Sequence, residues 1–148
     1  MVNKHANLQT AVLEIRLCFN QLRATADKLQ NDLGINASMS AVMEHLSEST
    51  GRTVPDIARS RSVSRQHIQM IVNKLSAAKL VTSRANPTDM RTSLISLSAR
   101  GQSICDEVQR RQALELGRLS ESLSADELQN FVATIKKLNN SLKGMENE

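Results

Sequence analysis

The stretch that most limits what this chain can fold into is a polar hairpin placed directly behind two short helical segments. Thr53-Val-Pro-Asp56 opens a helix with a hydroxyl cap, a Pro in the first turn and an acid at the third helical position. Ile57 and Ala58 point inward, and "RSRS" ends it after barely two turns. A second helix starts near Ser64. It buries Ile68, Ile71, Val72 and Leu75 and shows Arg65, Gln66, Gln69, Met70 and Asn73 on its other face. Next comes "LVTSR", then "RANPTDMRTSLISLSARG" from Arg84 to Gly101, with Pro and Asp at a turn and Ile95 and Leu97 alternating inward. Two short amphipathic helices joined by a tight polar turn outline a helix-turn-helix. A hairpin directly after its second, recognition helix is a wing.

The flanks are helical. Leu8, Val12, Ile15, Phe19, Leu22, Ala26, Leu29 and Leu33 follow at alternating steps of four and three, a heptad seam that Gly34 closes. A seam this long and narrow needs a partner, from another element or from a second chain. Asn36 caps a further helix with Met39, Val42, Met43 and Leu46 on its inner face, broken by "SESTGR". After Gly101 the chain turns helical again, with Ile104, Val108, Leu116, Leu119 and Leu123 along a long fifth helix. Ser124-Ala-Asp-Glu127 is a capping box for a sixth, whose stripe of Leu128, Phe131, Val132, Ile135, Leu138 and Leu142 ends at Gly144. The expected fold is mainly α, with a small two- to three-stranded antiparallel wing. It is one structural domain of three stretches: an N-terminal dimerisation helix (1–35), a winged helix-turn-helix (36–100) and C-terminal dimerisation helices (101–148).

Charge is concentrated in the middle. Between Arg52 and Arg91 eight basic residues face only Asp56 and Asp89, a net +6, while the whole chain carries +4. A polyanion is the natural partner of such a module, although charge alone fits a solvated basic surface as well. Phe19 and Phe131 are the only aromatics, and both lie in apolar helical stripes. Single-stranded nucleic acid is usually held by stacking on aromatic side chains, so duplex DNA is the better partner. No apolar run approaches the roughly 18 residues of a membrane span, and the N-terminus lacks the pattern of a signal peptide. Cys18 and Cys105 match neither metal-ligand spacing nor a disulfide framework, so a cytoplasmic location is expected. No HExxH, phosphate-binding glycine loop or Cys/His pairing is present, and His5, His45 and His67 lie far apart. Neither an enzyme nor a cofactor is expected.

The order and spacing of these elements, over nearly the whole chain, resemble the MarR family of bacterial transcription regulators. The resemblance is most specific in the wing, where the family pattern of Asp-x-Arg, an aliphatic, Leu, Ser/Thr and a following Gly is met by Asp89, Arg91, Ile95, Leu97, Ser98 and Gly101. "IVNKLSAAKLV" resembles the family's join from recognition helix to wing, with Lys79 where a Gly is usual. That departure is expected to tighten or reshape the join. The resemblance implies a homodimer held by intertwined N- and C-terminal helices, reading an inverted repeat in double-stranded DNA, with repression as the commoner outcome.

On such a recognition helix Arg65 suits the paired acceptors of guanine, while Gln66 and Gln69 suit adenine. Ser64 and Ser62 can reach phosphate, Asn73 the backbone, and His67 either touches DNA or packs at the edge. The wing tip reaches the neighbouring minor groove, for which the family pattern points to Arg91. Asp89 fixes the turn and orients an arginine, and Arg84 steadies the wing or meets phosphate. The resemblance also implies a small effector, often aromatic or phenolic, between the dimer helices and the winged lobe. Ile15, Met39, Met43 and His45 are candidate lining residues, although apolar stripes are usually core and a lone histidine near a buried face is more often a core residue than a sensor. "LCF" around Cys18 resembles the peroxide-sensing cysteine of the family's organic-hydroperoxide branch, but this chain lacks the tyrosines that partner it there. Cys18 is therefore either a redox sensor or a small hydrophobe beside the seam. From a different class, a winged-helix module that binds protein rather than DNA is the rival reading.

Overall fold

Side-chain caps set most of the helix boundaries. In the computed structural model, which describes residues 3–147, Asn3 accepts from the Ala6 N–H at 3.1 Å and starts α1 (Lys4–Gln30). A 3-10 turn over Asn31–Leu33 follows, and Gly34 stops it in the left-handed conformation at φ 74°. Asn36 accepts from Met39 N–H at 2.9 Å and opens α2 (Ala37–Ser47). Thr53 does the same for Asp56 in α3 (Val54–Arg61), and Ser64 for His67 in α4 (Arg65–Ala77). Strands β1 (Val81–Ala85) and β2 (Ser93–Leu97) pair antiparallel, from Val81 opposite Leu97 to Ala85 opposite Ser93. Arg52 adds a single bridge to Ile95 on the far side of β2, with N–H···O distances of 2.9 and 2.7 Å. The wing is thus two strands and a fragment of a third. Helices α5 (Ala99–Ser120) and α6 (Ala125–Met145) complete the chain, and both halves of the Ser124–Glu127 capping box are made. Residues 1, 2 and 148, at the outer ends of the terminal dimerisation segments, lie outside the described residues.

The chain divides into two compact units, residues 1–111 and 112–148. The core of the first gathers the inner faces of α2, α3 and α4 with the root of the wing. Val42, Met43, Leu46, Ile57, Ile68 and Leu75 have at most 1% of their surface exposed, and Leu80, Val81, Ile95, Cys105 and Val108 join them. Each aliphatic side chain so buried stabilises the fold by about 1.5–3 kcal/mol. One polar strap crosses this unit. Arg111 donates to the Leu29 carbonyl at 2.8 Å, to both Asp32 oxygens at 2.6 and 3.0 Å, and to Glu107 at 2.9 Å. It ties the end of α1 to α5.

The α6 stripe of the second unit is exposed in the single chain at Leu128, Phe131, Val132 and Leu142, as are Leu114, Leu116 and Leu119 on α5. On α1, Leu8, Phe19 and Leu22 of the seam are also exposed, and Leu13 and Leu17 widen the apolar face beyond it.

Four local expectations change. Helix α5 begins at Ala99, before Gly101, because Ser98 caps it by accepting from the Gly101 N–H at 3.0 Å. Gly101 therefore sits inside the first turn, packed so closely on the root of the wing that a Cβ there would lie 2.0 Å from the Leu80 carbonyl oxygen. Leu123 lies in the turn between α5 and α6, since α5 ends at Ser120. Gly144 does not stop α6, which runs on to Met145, because an αR glycine only weakens a helix. Lys79, expected to reshape the join, instead adopts the glycine-like conformation at φ 59°. Its N–H bonds to the Ser76 carbonyl and that of Leu80 to the Leu75 carbonyl, the paired 5→2 and 6→1 bonds of a Schellman C-cap. Burial of Leu75 and Leu80 beside each other offsets the cost of a lysine in that backbone region.

Candidate nucleic-acid interface

The turn between α3 and α4 is closed by the same C-cap geometry, with Ser62 at φ 53° and the Val63 N–H bonded to the Ala58 carbonyl at 3.1 Å. This sharp stop lets Ser64 cap α4 immediately, so that α4 starts with Arg65, Gln66 and His67 all exposed. Because Ile68, Ile71, Val72 and Leu75 occupy the buried face, Gln69 and Asn73 must lie on the outer one. There the Gln69 side-chain amide donates to Asn73 Oδ1 at 2.9 Å, one turn along, which orients both.

The wing tip is held by its own side chains. Asn86, only 8% exposed, accepts from the backbone N–H and hydroxyl of Thr88 at 3.2 and 2.9 Å and donates to the Thr92 hydroxyl at 3.0 Å. The Asp89 carboxylate then accepts from the Arg91 backbone N–H at 3.0 Å and from its Nε at 3.2 Å. Asp89 thereby aims Arg91, whose side chain stays almost fully in solvent, at 91% exposed. Asn86 was not singled out from the sequence, although the Asn-Pro step is a turn signal in its own right.

Recognition face and wing meet in one cleft of about 610 Å³, lined by Arg65, Gln66, Gln69, Asn73 and Ser76 from α4 and by Ser83, Arg91, Thr92 and Ser93 from the hairpin. A neighbouring concavity of about 570 Å³ shares Arg65 and Arg91 and adds Thr53, Asp56, Arg59, Asn86 and Asp89. Of the candidate DNA contacts, Arg65, Gln66, Gln69, Asn73 and Arg91 thus line the first cleft and Asp89 the second. Ser62, Ser64 and His67 sit exposed on the turn and the first turn of α4. Arg84 turns the other way: its Nη2 lies 3.2 Å from where a Cβ on Gly51 would be, against the loop that leads to Arg52.

The candidate effector residues are dispersed. Met39 and Met43 belong to the core cluster, Ile15 is half-exposed on α1, and neither of the two spaces beside α4 is lined by any of the four. The His45 Nε2 is buried without a hydrogen-bond partner among the described residues. Burial and then the nearby Arg52 charge lower its pKa, with Arg61 adding to that and Glu48 opposing it, so the ring is neutral at pH 7. Cys18 is exposed on α1, whereas Cys105 is buried, and burial pushes its thiol pKa up. Cys105 is accordingly a packing residue rather than a nucleophile.

Residues 33–92, which span α2 to the wing tip, match the MarR family. Comparison with curated protein sequences gave no match. Among solved structures, the chain is similar to a MarR family transcription regulator at TM-score 0.84 and 24% identity, over 98% of this chain and 96% of that one. It is similar to a cysteine-to-serine variant of MarR from E. coli complexed with operator DNA at TM-score 0.82 and 20% identity, covering 93% and 99% of the two chains. The S. aureus MepR–DNA complex matches at TM-score 0.82 and 19% identity, covering 88% and 96%. At these identities the likeness is one of fold.

Proposed function

We propose that this chain, whose residues 33–92 match the MarR family and whose fold is that of a MarR family regulator, is a transcription regulator that reads double-stranded DNA as a homodimer in the cytoplasm. One observation carries this reading: the exposed polar face of α4 and the Asp89-aimed Arg91 line a single cleft, so that one surface presents both a major-groove and a minor-groove probe. In this role Arg65 donates two parallel hydrogen bonds to guanine, and Gln66 and Gln69 meet adenine. Ser62, Ser64 and Asn73 hold the sugar-phosphate backbone, and His67 lies at the edge of the contact. Arg91 enters the minor groove, where narrow A·T-rich stretches concentrate negative potential. Arg84, packed against the Gly51 loop, steadies the wing. The operator-bound E. coli MarR and the DNA-bound S. aureus MepR share the fold and support the assignment.

The dimer rests on the exposed apolar faces of α1, α5 and α6. Monomeric soluble proteins rarely leave whole apolar helix faces of that kind open. We read residues 1–35 and 101–148 as the dimerisation segments and 36–100 as the reading head. Two copies related by a two-fold axis then place their α4 helices on successive half-sites of an inverted repeat, about 34 Å apart. Repression, and release by a small aromatic or phenolic effector near Ile15, Met39, Met43 and His45, follow from the family resemblance. A ligand that prefers a different spacing of the two heads would shift the population away from the DNA-binding form.

Selection of bound duplexes from a random pool by the purified protein tests the proposal. Enrichment of an inverted repeat with half-sites about one helical turn apart is the expected result. A folded dimer that enriches nothing would instead favour a winged-helix module that binds protein.

A further inference from the structure

Resting on the DNA-binding reading, we propose that Arg59 clamps one backbone phosphate of the bound duplex in the concavity between α3, the start of α4 and the wing tip, while Arg65 and Arg91, which pass on into the two grooves, add their charge at its rim. The three arginines come from three different elements and line the same space of about 570 Å³. Two of them are already aimed into place by aspartates. Asp56 pairs with Nη2 of Arg59, one turn away on α3, and Asp89 takes the Nε edge of Arg91. Each aspartate engages only one nitrogen of its arginine side chain, so that among the described residues the other guanidinium nitrogens remain available to an anion. Thr53 and Asn86, 7% and 8% exposed, contribute to the lining. Both already use their side-chain oxygens within the chain, Thr53 to cap α3 and Asn86 to tie the wing tip. The walls are therefore rigid before DNA arrives.

Three guanidiniums against two carboxylates leave the concavity one positive charge in excess, which a single phosphate diester neutralises. Base edges are poor candidates for this space, because none of Gln66, Gln69 and Asn73 lines it. A phosphate held between α4 and the wing would also fix where the wing meets the duplex relative to the recognition helix. Register would then be set by the backbone, while the neighbouring cleft reads sequence.

Arg59 is the residue that isolates this contact, since its side chain is 70% exposed and it lines the second concavity but not the first cleft. The test uses the full-length protein and a duplex selected by it, titrated at salt concentrations from about 50 to 200 mM. R59Q should lower the slope of log affinity against log salt by about 0.9, weaken all duplexes by a similar factor and leave the selected sequence unchanged. R59K, which keeps a point charge, should retain the slope. Backbone phosphates are then replaced one at a time by neutral methylphosphonates. One position per half-site should cost the wild-type protein affinity and cost R59Q nothing further. Equal salt slopes for wild type and R59Q, or methylphosphonate losses identical in both at every position, would overturn the clamp while leaving the DNA-binding reading intact. Should R59Q fail to fold, the same methylphosphonate comparison between wild type and R59K decides: the loss at the clamped position must be smaller for R59K, whose ammonium cannot fork. If the wild-type protein selects no duplex, clamp and regulator fall together.

Discussion

Two non-glycine residues, Ser62 and Lys79, occupy the left-handed region of backbone space, and each closes a helix next to the reading surface. For an L-residue that conformation costs on the order of 1 kcal/mol relative to glycine. Lys79→Gly should therefore raise stability by up to about 1 kcal/mol, or a few degrees in Tm, read by thermal denaturation. An unchanged or lower Tm would mean that the Leu75–Leu80 packing already absorbs the strain. Gly101 is the opposite case, because its neighbour is backbone and cannot yield. Gly101→Ala should destabilise by at least about 1–3 kcal/mol, since the added methyl would force the Leu80 carbonyl and the start of α5 apart. A variant that melts within a degree of wild type would contradict that close approach.

Caps and apolar spacing made most of the elements legible. Asn36, Thr53, Ser64 and Ser124 each start the helix that their hydroxyl or amide promises, and the inner faces of α2 and α4 are those the spacing selects. The candidate site was legible as far as periodicity reaches, since knowing which residues of α4 are buried leaves Arg65, Gln66, Gln69 and Asn73 outside. What periodicity cannot convey is convergence in space. That Arg59 and Arg91 line one concavity, or that Arg84 turns toward Gly51, depends on how elements far apart in sequence are packed. The Arg111 strap is another long-range feature of this kind. Arg110 and Arg111 hold the Glu107 carboxyl down to about 2 from 4.5, and Arg111 lowers that of Asp32 from 3.8. Carboxyls depressed in the folded state stabilise it above their ordinary values and lose that contribution as pH falls toward the folded value. Melting followed from pH 5 to pH 2 should therefore show a shallower acid decline for Arg111→Met, chiefly through Asp32, which loses its partner. Parallel declines in both proteins would mean that the strap contributes nothing measurable, as exposed ion pairs often do.

At the scale of the whole molecule, the bare apolar faces give the most direct prediction. Phe131 is exposed on α6, so Phe131→Asp should leave the single chain folded while shifting sedimentation from dimer toward monomer and abolishing preference for an inverted repeat over a lone half-site. A variant that still sediments as a dimer would remove α6 from the interface. The self-tied wing tip has a consequence of another kind. A loop that must order itself on contact bends to suit many grooves, whereas one already knotted by Asn86 and braced by Asp89 has little disorder left to lose. It should act as a calliper of fixed bore, rejecting grooves of the wrong width rather than adapting to them. Base pairs that the wing never touches would then be selected through the shape they impose on the duplex.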